Sequence, residues 1–319
     1  MKNIVVLEKS TLGELDFDLL KKYGNVTLYD DTKANEVIER IKEAHIVLVN
    51  KVVLNENNLK EAKNLELICE VATGYNNIDI EYARNNNIAV TNVAGYSTPT
   101  VAQHTFATLL YLYDQIGFYD NFVKSGAYSD SGLFTDLSKP YNDVEGKRWG
   151  IIGLGAIGSR VATIATAFGA EVVYYSTSGK NNNNIYKRVD LDELLTTCDI
   201  ISIHAPLNEN TEGLMKYSNL SKMKKNAILI NMGRGPIVVD EDLAKIIDEE
   251  KIAGAALDVF TVEPIKKENP LLSVKNKDRL VLTPHIAWAS IEARNRLFSE
   301  VIKNIEAFYN GEIRNRIGM

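Results

Sequence analysis

The stretch Gly150-Ile151-Ile152-Gly153-Leu154-Gly155-Ala156-Ile157-Gly158 decides the fold. It reads G-x-G-x-x-G. The apolar run 148–152 precedes it and apolar residues at helical spacing follow over 156–168, so the glycines fall at a strand-to-helix turn. Gly153 permits a tight turn, Gly155 lets a pyrophosphate approach the backbone, and Gly158 brings the helix against the strand. The free N–H groups of the helix N-terminus then face the phosphates.

Downstream, strand patterns recur at 171–175, 199–203, 227–231, 254–259 and 279–282, mostly separated by helical stretches. With the first, these six strands predict a doubly wound parallel Rossmann sheet, with ligands at the carboxyl ends of the strands. Upstream, strands at 2–7, 26–29, 45–49, 65–69 and 88–92 alternate with helical stretches such as 36–44 and 58–62. That alternation predicts a second parallel α/β domain. A helix over 100–113 marks the crossing between domains, 126–141 reads as a connecting stretch, and a last helix over 290–310 returns to the first domain. The expected organisation is a discontinuous domain of 1–99 with 290–319 and a dinucleotide-binding domain of 100–289.

Composition excludes several classes. The net charge of −6 argues against a general nucleic-acid binder, and no apolar run is long enough to cross a bilayer. The chain opens on a strand pattern instead of a signal peptide, which makes a cytoplasmic enzyme the expectation. Cys69 and Cys198 have no metal-ligand spacing, and both read as buried small hydrophobes. No metal is expected.

Polar residues at the strand ends carry the candidate chemistry. Arg234 directly follows a strand, where its guanidinium suits either a substrate carboxylate or a structural ion pair. The loop 71–79 ends another strand with small, turn-forming residues, as a carboxylate-binding loop or a surface turn would. Lys51 lies at a further strand end, as a charge for that loop or an ordinary exposed lysine. Of the four histidines, His45 and His104 read as packing or capping residues, and His204 as lining a cofactor cleft. His285 combines an imidazole, a strand-end loop and a carboxylate partner in Glu263, which makes it the candidate acid.

Taken together, the glycine turn, His204-Ala205-Pro206-Leu207, Asn231-Met232-Gly233-Arg234-Gly235, Ala256-Leu257-Asp258-Val259-Phe260 with Glu263-Pro264, and Thr283-Pro284-His285-Ile286-Ala287 resemble the D-isomer-specific 2-hydroxyacid dehydrogenases over essentially the whole chain. The segments 94–97 and 285–290 look most like the glycerate dehydrogenase and hydroxypyruvate reductase branch. The resemblance implies a flavodoxin-like substrate domain, a homodimer, and reduction of a small 2-oxo acid, hydroxypyruvate or glyoxylate, to the D-2-hydroxy acid. It implies a catalytic set of Arg234, Glu263 and His285. The cofactor cradle expected on this basis comprises Gly153, Gly155, Ala156, Ile157, Gly158, Ser176, Thr177, His204, Ala205, Pro206, Thr211, Met232, Gly233 and Asp258, with Asp258 near the nicotinamide. Lys51, Ala72, Thr73, Gly74 and Trp288 are expected at the substrate. A phosphoglycerate dehydrogenase-type enzyme and a non-catalytic dinucleotide-sensing regulator are the alternative readings.

The cofactor is expected to be NAD or NADP, with NADP the favoured of the two. An acidic residue about 20 positions past the glycine turn ordinarily bonds the ribose 2′-hydroxyl of NAD. Here the strand ends Tyr175-Ser176-Thr177-Ser178-Gly179-Lys180, with hydroxyls and a lysine for a 2′-phosphate but no arginine. The following loop, 179–184, reads as mobile.

Overall fold

Short β-branched runs separated by helices give two parallel sheets in the computed structural model, which describes residues 1–318. The chain divides into two compact units, Met1–Ser97 with Ala289–Met319, and Thr98–Trp288.

The first unit holds five parallel strands, β1 (Lys2–Val6), β2 (Gly24–Leu28), β3 (Ile46–Val49), β4 (Leu67–Glu70) and β5 (Ala89–Thr91), in the order β2-β1-β3-β4-β5. This is the flavodoxin-like order. Every residue of β3 and β4 is buried, as strands covered on both faces require. The helix Ile291–Tyr309 belongs to this unit; Ser290 caps it by accepting from the Ala293 N–H at 3.1 Å, and Leu297, Phe298, Val301 and Ile305 form its buried stripe.

The second unit contains β6 (Arg148–Ile152), β7 (Glu171–Tyr175), β8 (Lys187–Arg188), β9 (Ile200–Ile203), β10 (Ile228–Asn231), β11 (Gly254–Leu257) and β12 (Leu280–Leu282), ordered β12-β11-β10-β9-β6-β7-β8 and parallel throughout. Alternate residues serve opposite faces: Ile152, Ile201 and Leu229 join one core, Ile151, Ile200 and Ile228 the other. The expected six strands are present, and β8 is a seventh. Two residues paired to Val173 and Tyr174 leave too short a pattern to read. The helix Thr98–Tyr113 begins earlier than expected, with Pro99 in its first turn. The stretch expected to be irregular contains the helix Ala127–Ser131, bounded by glycines at positive φ, and the helix Ile116–Lys124 precedes it; neither fully buries a residue, which explains the weak pattern. Among the described residues no helix is long and apolar enough to cross a membrane.

Candidate active site

The second sheet reverses its strand order at β6, between β7 and β9, and in this architecture ligands bind outside the strand ends at such a switch point. The glycine turn lies there. Gly153 has φ +92°, and a Cβ on it would stand 2.9 Å from the Ala205 backbone. On Gly158 a Cβ would meet the Gly153 carbonyl oxygen at 2.3 Å, so the helix Ala156–Ala167 needs glycine to sit this close to β6. Gly155 differs, because a Cβ there would enter open space. The exposed backbone of Gly155 and Ala156, at the start of a twelve-residue helix, leaves a cradle that fits a pyrophosphate. His204, at the end of β9, has both ring nitrogens buried without a partner, and burial pushes its pKa down to about 3. A neutral ring beside the cradle adds no charge to it.

The remaining strand-end turns form a row. A Cβ on Gly233 would lie 2.9 Å from the Ala205 carbonyl oxygen, and one on Gly235 would lie 1.9 Å from the Phe260 backbone. Arg234 is thereby held between the turns that follow β9 and β11. It is half-buried, and its Nη1 donates to the Gly233 carbonyl at 2.8 Å. Glu263 Oε1 accepts from the Phe260 N–H at 3.0 Å, while its Oε2 lies 2.7 Å from Nδ1 of His285. The structure thus brings Glu263 and His285 into direct contact.

His285 has φ +55°, a left-handed conformation uncommon for a side chain of this size. Asp258 holds it there. The His285 N–H donates to the Asp258 carbonyl at 2.8 Å; Asp258 Oδ1 accepts from Thr283 Oγ1 at 2.6 Å and the Ile286 N–H at 2.9 Å, and Oδ2 accepts from the Ala287 N–H at 2.8 Å. His104 completes the arrangement with Nε2 3.0 Å from Thr283 Oγ1.

Several of the expected cofactor residues have their polar groups engaged within the protein. Asp258, expected near the nicotinamide, is only 1% exposed, and its carboxylate accepts from Thr283, Ile286 and Ala287, so it positions the His285 turn. Thr211 is fully buried, and its hydroxyl donates to the Pro206 carbonyl at 2.7 Å, which shapes the turn. Ser176 is buried, and its Oγ accepts from the Asn181 N–H at 3.3 Å. The loop after it, expected to be mobile, is tethered: Asn181 Nδ2 donates to the Leu154 carbonyl at 2.6 Å and the Asn183 N–H to the Tyr174 hydroxyl at 2.9 Å. Ile157 and Thr177 are half-buried, Pro206 is exposed, the Met232 side chain is in the core, and Trp288 packs against the edge of that core.

In the first unit, Ala72 and Thr73 are pinned to β5's exit by the Val93 N–H on the Ala72 carbonyl and by Thr73 Oγ1 on the Val93 carbonyl, both at 2.9 Å. Gly74 follows, half-exposed, and Lys51 is exposed. Sequence reasoning passed over two acids here. Glu8 Oε2 accepts from the N–H groups of Asn50, Lys51 and Val52 at 3.0, 2.8 and 3.0 Å. Glu70, fully buried at the end of β4, accepts from Asn77 Nδ2 at 3.0 Å, leaves Oε1 without a partner, and is pushed up to about 9 by burial.

The family model for the NAD binding domain of D-isomer specific 2-hydroxyacid dehydrogenases matches residues 106–287, more than half of the chain. The chain belongs to this family. As a D-2-hydroxyacid dehydrogenase it is an oxidoreductase. It is 38% identical over 316 residues to a hydroxypyruvate reductase of Blautia hydrogenotrophica, covering 97% of each chain, and 34% identical over 317 residues to a glycerate dehydrogenase of Methylorubrum extorquens, covering 98% of each. Among solved structures it is similar to an acyclic imino acid reductase in complex with NADPH and D-Arg, with a TM-score of 0.87 and 31% identity over 99% of this chain and 100% of that one. The branch resemblance read from the sequence agrees with the names of the first two relatives.

Proposed function

We propose that this dehydrogenase reduces hydroxypyruvate to the D-2-hydroxy acid, or glyoxylate to its achiral 2-hydroxy acid, with NADPH favoured over NADH. The observation that carries the reading is the 2.7 Å contact between His285 Nδ1 and Glu263 Oε2. When bound, the nicotinamide supplies or accepts the hydride at the substrate's C2. Negative charge growing on the carbonyl oxygen requires a proton, and His285 offers one from Nε2 because Glu263 occupies Nδ1 and fixes the ring. Arg234, locked between two turns, presents a planar donor pair for the substrate carboxylate or the carbonyl oxygen. We further infer that Lys51 and the backbone of Ala72, Thr73 and Gly74 bind the substrate carboxylate, supported by the small, accessible residues of that loop. Names among the relatives support the substrate choice, and the absence of a carboxylate in 176–180 supports the cofactor choice. A homodimer is also proposed, on the exposed apolar side chains of Leu133, Phe134, Leu137 and Tyr141.

The test follows oxidation of NADPH and of NADH with hydroxypyruvate, glyoxylate, pyruvate and a phosphorylated 2-oxo acid. The reading expects the highest kcat/KM with one of the first two acids and NADPH. A clear preference for the phosphorylated acid, or no turnover with any 2-oxo acid, overturns it.

A further inference from the structure

The stretch after β7 holds Lys180 but no arginine, and the neighbouring strand brings one beside it. Ser176 to Gly179 forms a turn closed by the Gly179 N–H on the Ser176 carbonyl at 3.1 Å, directly beyond the second strand of the dinucleotide fold. That is where the adenosine ribose is read in this architecture. Edge strand β8 pairs parallel to β7 with Arg188 opposite Tyr174, so its side chain starts beside the turn. Arg188 Nη1 donates to the Gly179 carbonyl at 2.9 Å and approaches Asn182 Oδ1 at 3.4 Å; Nη2 lies 3.7 Å from the place a Cβ on Gly179 would take. Both acceptors are neutral. Its neighbour Lys187, by contrast, is paired with Glu193 at 3.0 Å. Arg188 is exposed and, among the described residues, no carboxylate pairs with it.

We propose that Arg188 is the specificity-determining residue that binds the 2′-phosphate of a phosphorylated dinucleotide, its guanidinium oriented by the Gly179 carbonyl and its remaining N–H groups directed to the phosphate oxygens. An unpaired guanidinium fork suits a phosphate, which accepts two parallel charge-assisted bonds. The tethering of Asn181 and Asn183 keeps the turn, and with it the anchoring carbonyl, in place. Ser176 faces into the turn and leaves the ligand side to Thr177, Ser178 and Arg188. The inference rests on the NADP reading above and names the residue that would enforce it.

Direct binding tests it without turnover. Titration calorimetry with 2′,5′-ADP and with 5′-ADP compares ligands that differ only in the 2′-phosphate. Wild type is expected to bind 2′,5′-ADP more tightly. Arg188→Gln, which can still donate to Gly179, should weaken 2′,5′-ADP by roughly 10- to 100-fold and 5′-ADP much less. Arg188→Lys should fall between, and Lys187→Ala should keep the wild-type ratio. A wild-type protein that prefers 2′,5′-ADP and an Arg188→Gln variant that keeps the preference would overturn the role of Arg188 and leave the NADP reading standing. Equal wild-type affinity for the two ligands would overturn both.

Discussion

The left-handed backbone of His285 has to be held against its own preference, and Asp258 does so through the backbone N–H groups of His285, Ile286 and Ala287, which follow Pro284. Because these bonds involve the backbone, the side chain can be removed without loosening the turn. His285→Ala is therefore expected to fold, to keep dinucleotide affinity in a fluorescence titration, and to lose roughly 10²–10⁴-fold in turnover. Retained turnover would exclude it as the acid. Glu70 supplies a different prediction. Its carboxyl is pushed up to about 9 by burial, and the Asn77 donor and Lys51 charge only partly offset that; Glu8 adds to it. In the unfolded chain a glutamate titrates near roughly 4.3. Between these values the folded protein holds a proton that the unfolded chain releases, so this group's contribution to stability falls as pH rises, by about 1.4 kcal/mol per pH unit, and levels off above the folded value. In Glu70→Gln that loss is absent, and the variant's Tm advantage over wild type should grow from pH ~5 to ~9 in scanning calorimetry. A constant difference would mean that Glu70 is ionised in the fold. Neither role was legible: Glu70 looks like any polar strand end, and Asp258, though read as a site residue, has partners 25 to 29 positions away.

Within the strand-turn-helix element, the glycines separate folding from binding. Gly158→Ala puts a methyl 2.3 Å from a backbone carbonyl, which no side-chain rotation relieves, and should cost roughly 1–3 kcal/mol with a matching fall in Tm. Gly155→Ala puts the same methyl into open space at an ordinary φ of −82°, so Tm should hold while dinucleotide affinity drops. Equal effects of both substitutions on Tm would show that Gly155 serves the fold and not a ligand. This element was readable because its glycine spacing lies within nine residues, even though Gly153 also packs on Ala205. The next one was not. Burial of Ser176 and the approach of Arg188 depend on a two-residue edge strand reached through the loop 179–186.

At the scale of the whole molecule, the second unit leaves Phe134 96% exposed and Leu137 81% exposed, more apolar surface than one short segment usually shows to water. If this surface is the dimer interface, Phe134→Asp with Leu137→Asp should shift the protein from dimer to monomer in sedimentation, with the secondary structure intact by circular dichroism. A wild-type monomer, or a dimer unaffected by the pair, would place the interface elsewhere or remove it. The sequence by itself determined the class of both sheets, their parallel sense, the glycine turn and the pairing of Glu263 with His285, because each follows from local periodicity, spacing or a motif. Only the tertiary structure decided that Asp258 clamps the histidine turn, that Thr211 and Ser176 face inward, and that Arg188 reaches the turn after β7. Those outcomes depend on which strands are neighbours and how closely their end turns pack, and contacts between residues distant in the chain leave no periodic signal in it.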